Sequence, residues 1–146
     1  MRMKLNNNVW LPKLEFILQT VAVTYPKKPN TVTKKKYYEF IQNLPIFIPI
    51  YPFGNNFIKL LDKYPVTPYL DSRESFMRWT HYIFNKIDKQ MEKPEKTFYE
   101  SLEKYYEEYK PKEMKKEEQR KLKEKYYYFV VGLIVIFSIY YNYKKW

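Results

Sequence analysis

Prolines divide this chain into short pieces, and they constrain its fold more than any other feature. Pro26, Pro45, Pro49, Pro65, Pro68, Pro94 and Pro111 leave room between them for short helices. Proline ends a helix because it lacks an amide proton and disfavours helical geometry in the residue before it. Between the prolines, apolar residues recur at helical spacing. Leu14, Ile17, Leu18 and Val21 fall at i, i+3, i+4 and i+7, which predicts a first helix ending at Tyr25-Pro26. Tyr37, Phe40, Ile41 and Leu44 predict a second, capped by Thr31 or Thr33 and broken by Pro45. Phe57, Leu60, Leu61 and Tyr64 predict a third, closed by Pro65 and Pro68. Asp71-Ser72-Arg73-Glu74 reads as a capping box in which Asp71 accepts from the Glu74 amide. It opens a long fourth helix reaching about Met91, with Phe76, Trp79, Ile83 and Ile87 inward and His81 on the outer face. No strand alternation, internal repeat or Gly-rich phosphate loop competes. The expected fold is an all-α bundle of four to five helices, its main domain spanning residues 1–94.

Beyond Pro94 the character changes. Residues 95–125 are charged and aromatic, and read as a helical linker. Phe98, Leu102 and Tyr105 or Tyr106 can pack back on the bundle as a fifth helix, which Pro111 ends. Residues 126–143 read as a transmembrane anchor, followed by a basic tail, residues 144–146. Residues 129–139 are uncharged and apolar, with tyrosines on both sides and lysines beyond them. As a helix the anchor rises about 27 Å, close to a bilayer's hydrocarbon core. Its strongly apolar side chains favour insertion by roughly 4 kcal/mol. Basic residues are denser before the span than after it, so the positive-inside rule keeps the bundle cytosolic, as in a tail-anchored protein. The polar N-terminus shows no signal peptide.

Charge and composition narrow the function. Residues 1–94 carry 15 Lys/Arg against 7 Asp/Glu, a net +8, whereas residues 95–125 carry only +1. A basic domain suits an anionic partner. Lys27, Lys28, Lys34, Lys35 and Lys36, near Tyr25, Tyr37 and Tyr38, form a patch of basic and aromatic residues that suits phosphates. A solvated helix start is the plainer reading of the same residues, and it disfavours nucleic acid. The sequence contains no cysteine, which excludes disulfides, thiol catalysis and cysteine-ligated metals. With one histidine, His81, neither a histidine-built metal site nor a histidine triad is expected. The acidic pairs Glu107-Glu108 and Glu117-Glu118 read as solvated.

The segment Pro49-Ile50-Tyr51-Pro52-Phe53-Gly54-Asn55-Asn56-Phe57 has the form of a turn entering a helix. With Leu18 to Pro26 and with Arg73 to Pro94, it resembles the Erv/ALR family of FAD-linked sulfhydryl oxidases, especially those of large DNA viruses. The stretch Leu18-Gln19-Thr20-Val21-Ala22-Val23-Thr24-Tyr25-Pro26 is similar to the family's Leu-His-x-x-Ala-x-x-Tyr-Pro. Pro49 to Phe57 is similar to its Pro-Cys-x-x-Cys-x-x-His-Phe, and Trp79, Asn85, Ile87, Asp88, Lys93 and Pro94 to its fourth-helix motif. The resemblance implies a four-helix bundle with a short fifth helix, FAD between the helices and a homodimer.

It also implies a loss. The two cysteine positions are Ile50 and Phe53, and thiol–disulfide exchange needs thiols at both. The flavin-contacting positions fall on Glu15, Gln19, Asn56, Phe84 and Asp88, and only Trp79, Asn85 and Lys93 are retained. An aromatic at Phe84 and an acid at Glu15 would crowd or repel a dinucleotide. The expectation is a pseudo-enzyme without catalytic residues, cofactor or metal, with Ile50 and Phe53 as buried core residues. It would be a structural protein, a minor capsid or membrane–capsid linker component of a large DNA virus. The expected location is the virion inner membrane, with the bundle on the capsid, or cytosolic, side. The expected partners are that membrane, viral capsid proteins and a second copy. The alternative is a membrane-tethered basic module binding nucleic acid or another anion.

Overall fold

The computed structural model describes residues 5–48 and 53–145. These are all-helical: α1 Asn7–Val23, α2 Thr31–Phe47, α3 Phe53–Lys63, α4 Arg73–Gln90, α5 Phe98–Glu107 and α6 Lys112–Lys145, with a 3₁₀ turn at Thr67–Tyr69. Among them there is no strand. Ile50 lies outside the described residues. Phe53 opens α3, but its side chain lies outside the description too, so the expected burial of both is not addressed.

Asn6 caps α1 by accepting from the Asn8 amide at 2.9 Å, so the helix starts well before Leu14 and runs through Pro12. The buried face is Leu11, Leu14, Glu15, Leu18 and Ala22. Ile17, expected inward, is 54% exposed because the buried stripe runs one position to its side. In α2 the cap is Asn30, whose side chain accepts from the Thr33 amide at 2.7 Å. Neither expected threonine does so. Pro45 does not break α2; it is buried in the last turn, and the helix closes when the Ile48 amide reaches the Leu44 carbonyl at 3.2 Å. Ile41 and Leu44 face the core, while Phe40 lies 40% exposed. Phe57, Leu60 and Leu61 of α3 are buried as their spacing predicts.

α4 is the central strut. Phe76, Trp79, Ile83 and Ile87 are all buried, and burying each such side chain contributes about 1.5–3 kcal/mol. Its cap is Ser72, which accepts from the Ser75 amide at 3.1 Å. Asp71 instead reaches Lys34 on α2 at 2.6 Å and Glu74 pairs with Arg78 at 2.8 Å, so the cap lies one residue later than expected and the reciprocal box does not form. Tyr25 joins the helices. Its hydroxyl donates to the Leu70 carbonyl at 2.8 Å, and its ring meets Tyr37 and Phe76 edge-on. The Arg73 guanidinium closes the same corner on the Tyr25 carbonyl.

Compactness separates residues 1–105 from residues 106–146. Most of α5 therefore falls in the first unit, where the expected fifth helix packs back on the bundle. In the second unit, spacer and apolar stretch are one continuous helix of 34 residues, α6. None of its apolar window is buried, and by length and composition it is a candidate membrane span. Its polar side chains there turn back on the helix: Ser138 donates to the Ile134 carbonyl at 2.8 Å and Asn142 to the Ser138 carbonyl at 2.9 Å. That satisfies them without water.

Candidate functional site

Four of the five altered positions that the resemblance assigns to flavin contact, Glu15, Gln19, Phe84 and Asp88, lie on α1 and α4, which pack together. Glu15 and Gln19 are one turn apart on α1, as are Phe84 and Asp88 on α4, so each pair shares a face. α5 lies over this junction. Gln19 donates to Ser101 at 2.7 Å, the Tyr105 hydroxyl to Thr20 at 3.1 Å, and the Tyr105 ring packs on Phe16 at 5.3 Å.

The turn after α4 brings in a cation. Glu92 takes φ 58°, the left-handed geometry usually given to glycine. The Lys93 amide then reaches the Asp88 carbonyl at 2.9 Å and the Glu92 amide the Lys89 carbonyl at 3.1 Å, closing a Schellman cap. Asn85 holds the returning strand by both ends of its amide, donating to the Lys96 carbonyl at 2.7 Å and accepting the Lys96 amide at 3.2 Å. Lys96 thereby puts its ammonium 2.9 Å from Asp88 and 3.9 Å from Glu15, with Lys104 at 4.0 Å from Glu15. Glu15 and Asp88 are both buried. Burial disfavours the Lys96 charge, but the Asp88 hydrogen bond and the charges of Glu15 and Asp88 outweigh it and leave its pKa raised. Lys93 lines the mouth of this cluster and makes no ion pair among the described residues.

His81 is not on an outer face. It is half-buried under α5, edge-on to Phe98 at 5.7 Å, with the Asn85 amide nitrogen 3.2 Å from Nε2. Burial pushes its pKa down, and the charges of Lys96 and Arg78 add to this. The cavity bounded by Gln19, His81 and Ser101 is about 20 Å³, room for about one water. Phe84 is buried, and Trp79 donates to the Tyr64 carbonyl at 3.0 Å. Asn56 stands apart, in a cleft between α3 and α4.

A flavin dinucleotide fits these residues poorly. α5 covers the α1 positions, Phe84 occupies the core, and the cations that could hold a pyrophosphate, Lys96 and Lys104, already face buried carboxylates. The described residues hold no cluster of metal-binding side chains. The chain has no thiol. What the described residues form here is an ion-pair lock of Glu15, Asp88, Lys96 and Lys104. Three of the four acids of the acidic pairs are also tied up: Glu107 with Lys110 at 2.5 Å, Glu117 with Lys121 at 3.0 Å and Glu118 with Lys110 at 3.2 Å.

The basic patch is not brought together as a free surface. Lys34 pairs with Asp71, and Lys35 and Lys36 both face Glu39, at 4.0 and 3.3 Å. Only Lys27 and Lys28 lack a carboxylate partner among the described residues. The sequence reading missed Lys96, because its function depends on a reversal at Glu92 that no glycine announces. It missed the α3–α4 cleft because its lysines come from two separate helices.

The Erv1 / Alr family profile matches residues 16–110. A probable FAD-linked sulfhydryl oxidase of Acanthamoeba polyphaga mimivirus is 32% identical over 93 residues, 63% of this chain and 65% of that protein. The mitochondrial FAD-linked sulfhydryl oxidase erv1 of Schizosaccharomyces pombe is 27% identical over 77 residues, 53% of this chain and 42% of that protein. The chain thus covers under two thirds of either relative. Among solved structures, a cysteine-to-serine double mutant of Erv1 from Saccharomyces cerevisiae superposes with TM-score 0.63 at 21% identity, over 72% of this chain and 68% of that one. The FAD binding domain of the same yeast protein gives TM-score 0.63 at 22% identity, over 71% of this chain and 95% of that one. These similarities establish the fold.

Proposed function

The chain belongs to the Erv1 / Alr family, and from that premise we propose that it is a member that no longer oxidises thiols and serves as a structural protein at a viral membrane. The observation that carries this reading is the absence of cysteine in all 146 residues. The family reaction passes electrons from substrate thiols to a cysteine pair and on to flavin. Thiol–disulfide exchange proceeds by attack of a thiolate on a disulfide, and no other side chain substitutes for it. The ion-pair lock of Glu15, Lys96 and Asp88 supports the second half of the proposal, that FAD is not held. Ile50 and Phe53 are proposed to fill the former cysteine positions as packing residues.

The viral setting is supported by the mimivirus relative. α6 would anchor the chain in a single pass, and the positive-inside rule would leave the bundle on the cytosolic face. On a virus with an inner membrane this is the capsid-facing side, where a folded basic bundle could link membrane to shell, alone or as a homodimer. The test is biochemical fractionation of purified particles. The chain should co-purify in fixed ratio to the major capsid protein. Protease should reach the bundle only after the shell is opened. Absence from particles would overturn the structural reading.

A further inference from the structure

The face of α4 opposite the ion-pair lock carries a different arrangement. Lys59 and Lys63 are one turn apart on α3, Lys86 and Lys89 are three residues apart on α4, and all four line one cleft with Asn56 and Gln90. No carboxylate lines it. Lys59, Lys63 and Lys86 have no carboxylate partner among the described residues, unlike the lysines of the α2 patch; Lys89 alone is countered, by Glu95 at 3.3 Å. The walls are fixed, because Phe57, Leu60 and Leu61 root α3 in the core and Trp79 ties the Tyr64 carbonyl to α4. Tyr64 and Tyr82 pack edge-on at 5.0 Å, with Lys63 over one ring and Lys86 over the other. The Tyr64 hydroxyl pKa is lowered, first by the Tyr82 hydrogen bond and then, against burial, by Lys63 and Lys86.

We propose that this cleft binds a compact polyphosphorylated ligand of the inositol-phosphate class. Its space, about 360 Å³, suits a small molecule. Three ammonium groups free of a carboxylate on two walls, with Lys89 shared with Glu95, match several phosphates spread round a ring more than they match one phosphate. Lysine is a strongly hydrated point charge that holds phosphate without demanding bidentate geometry. Asn56 and Gln90 add neutral amide donors for ring hydroxyls. Single-stranded nucleic acid fits less well, because base stacking needs a free aromatic face and lysines already cover Tyr64 and Tyr82. The same chemistry is offered by a soluble inositol phosphate and by a phosphoinositide headgroup.

The test uses the full chain in detergent. Inositol hexakisphosphate is titrated calorimetrically, and flotation is measured with phosphatidylcholine vesicles with and without phosphatidylinositol bisphosphate. Lys59→Gln/Lys63→Gln/Lys86→Gln should weaken hexakisphosphate binding at least about tenfold, as losing one charge-assisted hydrogen bond would. Lys27→Gln/Lys28→Gln/Lys36→Gln, with the same change in net charge, should change it less than about threefold. The single variant Lys86→Gln should weaken binding measurably and serves if the triple variant fails to fold. Hexakisphosphate binding without a vesicle preference identifies a soluble ligand. Preferential flotation with the phosphoinositide, lost in the cleft variant alone, identifies the headgroup. No binding of either probe, or equal weakening by both triple variants, overturns the proposal.

Discussion

Lys96 is a single ammonium group that faces two buried carboxylates from different helices, so its removal leaves Asp88 without a cation among the described residues and Glu15 with only Lys104 at 4.0 Å. Lys96→Met is expected to destabilise the bundle by about 2–4 kcal/mol, below the cost for a fully buried pair because Lys96 keeps some exposure. Denaturant unfolding of the full chain in detergent measures it; a loss under about 1 kcal/mol would mean that the carboxylates are solvated. His81 gives a pH signature. Its folded pKa lies below its unfolded value of about 6.5, so the unfolded chain binds more protons in that range. The His81 contribution is intact above about pH 6.5 and is lost as pH falls from there through the lower folded pKa. His81→Gln should flatten this part of the stability profile, and an unchanged slope would show that carboxylates alone cause it. Glu92 bears the other residue-scale expectation. Glu92→Gly relieves a left-handed backbone at the cost of chain entropy, for a net gain of about 0.5 kcal/mol in the same unfolding measurement.

At the scale of elements, the helices were legible because prolines and apolar spacing both mark them, and α4 followed its stripe throughout. The ends were less legible, since caps compete locally. Ser72 and Asp71 could each cap α4, and the choice turned on Lys34, which lies on another helix and draws Asp71 away. Ser72→Ala should therefore cost about 1 kcal/mol and Asp71→Ala only about 0.5 kcal/mol, by thermal or denaturant unfolding. The reverse ranking would restore Asp71 as the cap. Pro45 was misleading for a similar reason: burial in the core favours it inside α2 despite the missing donor. The flavin positions were legible as a set of altered residues, but not their new arrangement. Lys96 and Lys104 lie outside the matched motif, and α5 had to be placed before they could be seen beside Glu15. α6 joins a charged half to an uncharged half without a break. Ile134→Arg places a charge at the middle of the apolar stretch, costing about 2.5–3.5 kcal/mol of insertion. The chain should then become extractable from membranes by alkaline carbonate, and full retention would argue against a span through that stretch.

At the scale of the whole molecule, the family bundle persists in a chain without cysteine. Tyr25, Trp79 and Asn85 hold helices together through hydrogen bonds to backbone carbonyls, which do not depend on a cofactor. Basic residues of the bundle form an internal lock at Lys96 and line an open cleft between α3 and α4. Fold and family could be read from motif order and spacing, because packing positions tolerate no other pattern. The absence of thiols, on which the proposed loss of the reaction rests, could be read from residue types alone. The central claim is tested most directly by oxygen consumption of the purified full chain in detergent with dithiothreitol and added FAD. The rate should equal that of dithiothreitol and FAD without protein; oxygen uptake that rises in proportion to the protein would contradict the account.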